Sequence, residues 1–188
     1  MISNAVAHNP RRGPVVSGVV VMTMFGCAWA FVAVSGMDIP LTVLVTLVVL
    51  VAIATAVVLI VAKRSIDRLP AHAGSQRKVS PTAGKYFHLV NAAQYVVIVV
   101  AVFALVRVGQ ASFIPSMTCM VVGAHFLPLA RIFDLPLYRW TGLLLMLTAA
   151  VVAFALTQGL SDEPARVAVG LPAAIVLWGT ATVVARRG

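Results

Sequence analysis

Two histidines stand inside long apolar stretches of this 188-residue chain. His88 opens a polar series continued by Asn91, Gln94 and Tyr95. At 100° per residue these four fall within an arc of roughly 120° on a helix. His125 lies in Gly123-Ala-His125-Phe-Leu-Pro128. Pro128 has no N–H to give the carbonyl of Ala124, so a free carbonyl is expected beside the imidazole, a pairing that can bind an ion or a proton-carrying water. The plainer reading is that Phe126-Leu127-Pro128 ends the helix early. His88 and His125 sit three and six residues from their helix ends, so their depths differ by about 5 Å and both can face one cytoplasmic vestibule. Arg131, with Asp134 and Arg139 nearby, would close that vestibule and attract an anion or an acidic headgroup. The candidate ligand-binding set is therefore His88, Asn91, Gln94, Tyr95, His125 and Arg131. The competing reading is a polar helix start satisfied by water, lipid and neighbouring helices.

A second, softer constellation holds Met24 and Cys27 in one apolar segment and Met117, Cys119 and Met120 in another. Cys27 and Cys119 are each about 18 Å from the cytoplasmic boundary. Thiolate and thioether suit Cu(I), so these two cysteines mark a copper site if their helices touch, and otherwise fill gaps in apolar packing. His88 and His125 could also flank one haem, but two histidines serve one at most.

Much chemistry is disfavoured. The five acidic residues, Asp38, Asp67, Asp134, Asp162 and Glu163, all fall between apolar segments, leaving no carboxylate pair for intramembrane aspartyl proteolysis and no carboxylate carrier for cation pumping. There is no Gly-x-Ser-x-Gly, His-Glu-x-x-His, Cys-x-x-Cys or phosphate loop. Familiar enzymes are thereby disfavoured rather than excluded, a membrane enzyme stands as a third reading, and no cofactor is expected.

These residues are positioned by an apolar chain. Sixty-one per cent of its residues are hydrophobic and 10% are charged, and the mean hydropathy is +1.03. A soluble domain is only about half apolar. A helix needs about 20 mainly apolar residues to cross the hydrocarbon core. Six stretches meet that length: 15–35, 41–62, 86–106, 110–130, 138–158 and 165–185. The expectation is an all-α, polytopic transmembrane bundle forming a single domain over 1–188. The charge of +9 is read as topology rather than as a nucleic-acid footprint, because basic residues collect on the cytoplasmic side. Arg11, Arg12, Lys63, Arg64, Arg68, Arg77, Lys78, Lys85, Arg131, Arg139, Arg186 and Arg187 flank one side, against Arg107 and Arg166 on the other. Both termini are therefore expected in the cytoplasm of a multi-pass cell-membrane protein. Arg11-Arg12 and the small-residue run Ala28-Trp29-Ala30 suggest a cleaved signal peptide, but the apolar run continues to Val34 and reads as a full span.

Short external connections make three hairpins of helices 1 and 2, 3 and 4, and 5 and 6. The hairpins share a Phe before the turn (Phe31, Phe103, Phe154) and a Pro after it (Pro40, Pro115, Pro164), a faint threefold repeat. The long loop 63–85 is basic and broken by Pro70, Gly74, Ser75, Pro81 and Gly84. It is a topology determinant or a site for anionic headgroups. Ser112, Ser116, Cys119 and Gly123 line one face of helix 4, with Thr118 and His125 opposite, so this helix should have partners on two sides. Gly26, Ala30 and Ala33 of helix 1, and Ala149 and Ala153 of helix 5, also permit close approach. Helix 2 is aliphatic all round and reads as lipid-facing. Pro172 should bend or interrupt helix 6 after Gly170.

The run Gly123-Ala-His125-Phe-Leu-Pro128-Leu-Ala-Arg131, followed by Leu135-Pro-Leu-Tyr138 and Thr141-Gly142, resembles small uncharacterised bacterial integral membrane proteins. That resemblance covers about a tenth of the chain and implies no activity. Length and span number resemble the substrate-binding components of energy-coupling-factor vitamin transporters, although helix 1 lacks a clear Ala-x-x-x-Ala coupling face. The expected role is binding or moving a small solute or lipid from the cytoplasmic vestibule. The alternative is a non-catalytic accessory subunit whose small-residue faces on helices 1 and 4 dock a membrane partner protein or a second copy of the chain.

Overall fold

The computed structural model describes residues 12–37, 39–67 and 81–187. Within them lie six helices: α1 (Arg12–Ser35), α2 (Leu41–Asp67), α3 (Pro81–Arg107), α4 (Ile114–Ile132), α5 (Pro136–Thr157) and α6 (Asp162–Arg187). A 3-10 turn, Ala111–Phe113, leads into α4. There is no strand among the described residues. All six helices are long and apolar enough to cross a bilayer, with mean hydropathies from 1.5 to 3.2, the architecture of a multi-pass membrane protein. Most of the helices overrun the apolar spans, because charged and polar residues continue the helical backbone beyond the apolar core. Arg11 and most of the basic loop, including Arg68, Arg77 and Lys78, lie outside the described residues, and so does the expected headgroup site they would form.

The expected hairpins are present as packed pairs, α1 on α2, α3 on α4 and α5 on α6. The most extensive contacts are others, α1 along α6 and α4 along α5. Small residues make both possible. Gly123 and Gly142 meet across α4 and α5, where a β-carbon on Gly123 would fall 2.8 Å from the Gly142 carbonyl. Gly170 of α6 rests against the backbone of Trp29 and Ala33 of α1, and the indole of Trp178 covers Gly26. These faces on α1 and α4, read as docking surfaces for a partner, are thus occupied within the chain.

α2 packs on α1 and α6, and α3 on α4 and the 3-10 turn, so the two flank opposite sides of a four-helix centre with no extended contact between them. Only 6% of the residues in the apolar window of either flank are buried, against 44% in α1 and α6. The lipid-facing expectation for α2 agrees with this, and α3 shares the position.

Two prolines lie inside continuous helices. α4 runs through Pro128 to Ile132 instead of ending at Phe126, and α6 runs through Pro172 without interruption. Each proline removes one backbone hydrogen bond, and tight packing on α5 or α1 holds the remainder of the helix. Three helices end alike, with a residue of positive φ after the last turn: Gly109 (φ 72), Gly159 (φ 93) and Asp134 (φ 51). The N–H that follows each returns to a carbonyl five residues back: Gln110 to Leu105, Leu160 to Ala155 and Leu135 to Ala130. This satisfies the free carbonyls of the helix ends.

Candidate functional site

The inner face of α3 is marked by Phe87, Val90, Asn91 and Ile98, all half-buried, and by Gln94, which is buried. His88 and Tyr95 are exposed, Tyr95 by 60%. The polar arc is therefore split. Asn91 and Gln94 turn toward α4, while His88 and Tyr95 turn away from the bundle. The arc expected from spacing is real, but its centre is rotated from the direction in which α4 lies.

His125 comes to the same seam from α4. Its imidazole lies near the backbone of Val90, next to Asn91 on α3. Its Nδ1 is buried without a hydrogen-bond partner. Of the candidate set, Asn91 and Gln94 share with Val90 the face of α3 that packs on α4, the helix that carries His125. Arg131 is exposed on the last turn of α4 and belongs to the surface rather than the seam.

Hydroxyl groups show why this imidazole stands out. Thr23, Thr46, Thr55, Thr141, Thr148, Thr180 and Thr182 each bond the carbonyl four residues back on their own helix. They need no ligand. Ser116 Oγ is the other buried orphan, because the residue four back, Ser112, lies in the 3-10 turn, where helical register is lost.

Toward the end of the bundle where α3 begins and α4 stops, aromatic rings stack edge to face. Phe87 meets Phe133 at 5.8 Å, Phe133 meets Tyr138 at 6.3 Å, and Tyr138 meets Phe126 at 5.6 Å. Three helix termini are tied together there, and the rings stand between the seam and that end of the bundle.

The cysteine constellation is not assembled. Cys119 is buried and its thiol donates to the Leu145 carbonyl of α5 at 3.4 Å. Cys27 is half-buried on α1, and α1 and α4 share no extended contact. No group of three metal-ligating side chains occurs among the described residues.

Two polar contacts escape sequence reasoning. Thr141 of α5 and Thr180 of α6 join hydroxyls at 2.8 Å, and Trp178 Nε1 donates to the Thr23 carbonyl of α1 at 3.2 Å. Isolated threonines and a tryptophan in apolar helices carry no partner information, so no signal pointed to them. Compared with protein-family models, curated proteins and solved structures, the chain matches none.

Proposed function

We propose that this is a multi-pass protein of the cell membrane, with both termini cytoplasmic, that binds a small ligand in the seam between α3 and α4. The contacting groups would be His125, Asn91 and Gln94. The single observation behind this reading is the buried Nδ1 of His125, which has no partner. A polar atom hidden from water in an apolar surrounding is costly unless a partner is supplied. The cytoplasmic placement follows from the distribution of Lys and Arg around the spans. His125 then lies about 10 Å inside the cytoplasmic end of α4, at 1.5 Å per residue. His88, Tyr95 and Arg131 are assigned to the lipid and headgroup surface.

Native mass spectrometry of the protein extracted in a mild detergent tests this. A reproducible small-molecule adduct should be retained by the unaltered chain and by His88→Ala, and lost from His125→Ala and Gln94→Leu. A bare protein, or an adduct indifferent to His125, would sink the proposal. Copurification of a second subunit instead would favour the accessory role. With the glycine faces of α1 and α4 already filled, such a partner would have to lean on α2 or α3.

A further inference from the structure

Independently of the ligand seam, α3 turns to lipid a flank that carries a polar group at mid-span. Its apolar window runs from Lys85 to Arg107, so Tyr95 lies about 15 Å from the first and about 18 Å from the second at 1.5 Å per residue. That is the middle of a hydrocarbon core about 30 Å thick. Tyr95 is 60% exposed, and its hydroxyl has no hydrogen bond among the described residues. The exposed threonines Thr46 and Thr148 return their hydroxyls to the carbonyl four residues back on their own helix. A tyrosine cannot, because the ring carries its hydroxyl away from the backbone. Lipid tails at that depth offer neither donor nor acceptor. The partner of this hydroxyl has to come from outside the single chain.

The spacing around Tyr95 narrows the choice. His88, Ala92, Tyr95, Val99, Val102 and Val106 follow at steps of four, three, four, three and four, and at 100° per residue they fall within an arc of about 80°. All are exposed except Val102, which is half-buried. This is the 3.5-residue repeat of a helix that packs lengthwise on another, and it continues through the span. Three valines and an alanine suit the close van der Waals contact that drives helix association in lipid. Past Tyr95, the side chains of Ile98, Val99, Val102, Phe103 and Val106 border an open groove formed by α3 alone, a hollow that can receive the side chains of a facing helix. The opposite flank, α2, is as open to lipid, but its Thr46 and Thr55 already bond their own backbone.

A second copy of the chain matches this stripe. No Asp, Glu, Lys or Arg lies between Lys85 and Arg107, so the flank has no charge for an unlike partner to pair and none to repel its own kind. When two copies are related by a twofold axis along the membrane normal, each residue meets its own image at the same depth. A hydroxyl both donates and accepts, so one Tyr95 can donate to the other. We propose that the chain forms a parallel twofold dimer through this stripe of α3, with the two Tyr95 hydroxyls joined at mid-membrane.

The test uses the full chain. In native membranes under mild oxidation, Val99→Cys and Val106→Cys should form covalent dimers. Val97→Cys and Val100→Cys, exposed on the same helix but off the stripe, should not, and neither should the unaltered chain. In liposomes of rising lipid-to-protein ratio, energy transfer between copies labelled at their C-termini measures the association. Tyr95→Phe should weaken it roughly three- to tenfold without moving thermal unfolding of the detergent-extracted monomer. Cross-links at Val97 or Val100 as strong as those at Val99 and Val106, a cross-linked species that is not two copies, or a Tyr95→Phe chain that associates as tightly as the unaltered one would each overturn the dimer. None of these results bears on His125, so the ligand seam stands or falls separately.

Discussion

Thr141 and Thr180 share two hydroxyl hydrogens among three contacts, one to each other and one to each helix's own backbone. Both are nearly fully buried, at 2% and 5% exposure. Replacing either by Val leaves the surviving hydroxyl its carbonyl four residues back, so no buried donor is orphaned. Thr141→Val and Thr180→Val should therefore each cost no more than about 1 kcal/mol, and the double variant scarcely more than either alone, in line with interhelical hydrogen bonds in membranes. Reversible unfolding in mixed micelles measures this, and a coupling well above ~2 kcal/mol would show that the pair is part of a larger network. His125 is the opposite case, an imidazole whose buried Nδ1 has no hydrogen-bond partner. Spacing alone marked His125, Asn91 and Gln94 as members of the candidate set. It included His88 and Tyr95 with equal weight, because the direction of α4 is set by Phe87, Val90 and Ile98, aliphatic or aromatic residues that do not differ in kind from their lipid-facing neighbours.

Between helices the decisive side chains are the missing ones. A β-carbon on Gly123 would lie within 2.9 Å of the Gly142 carbonyl, Met146 Cγ and the Met146 backbone nitrogen, and one on Gly170 would meet the backbone of Ala33 and Trp29 at 2.6 Å. Backbone cannot step aside as a rotamer can, so Gly123→Ala and Gly170→Ala should force α4 from α5 and α1 from α6 at about 1–3 kcal/mol each. Gly179 has nothing within 4 Å of the same position, and Gly179→Ala should be neutral. Thermal unfolding in detergent, followed by fluorescence size exclusion, distinguishes the three, and a loss at Gly179 equal to that at Gly123 would contradict this account of the packing. The small-residue face of α4 was legible because Ser116, Cys119 and Gly123 recur at helical spacing. Its partner was not, since Gly142 stands alone among large residues of α5. The continuity of both helices at their prolines was hidden for a related reason. Pro128 and Pro172 break local rules, but the packing that holds the helix together past them is tertiary and leaves no local trace.

Viewed whole, the bundle runs α2, then α1 with α6, then α5 with α4, then α3. Span number and approximate limits were readable from hydropathy because the hydrocarbon thickness imposes them. Neighbour order was not, because lipid and leucine are equally apolar and hydropathy does not distinguish a helix interface from a lipid face. Orientation is a separate question, governed by charge. Lys63, Arg64, Lys85, Arg131, Arg139 and Arg186 are all exposed at helix ends, where they can reach headgroups. The other side offers exposed Arg107, which lies over the Phe103 ring at 4.7 Å, and half-buried Arg166. Retaining the richer set in the cytoplasm places the turns around Gln110 and Gln158 outside. In intact cells, Gln110→Cys and Gln158→Cys should react with a membrane-impermeant maleimide, and Arg64→Cys and Arg186→Cys only after lysis. The unaltered chain should stay unlabelled in both cases, because Cys119 is fully buried and Cys27 lies inside a span. The reverse pattern would invert the protein and move the α3–α4 seam to the external leaflet. A mixed pattern within either pair would mean that one of the six helices does not cross, and because the spans alternate in direction, every assignment of side after that helix would then change sign.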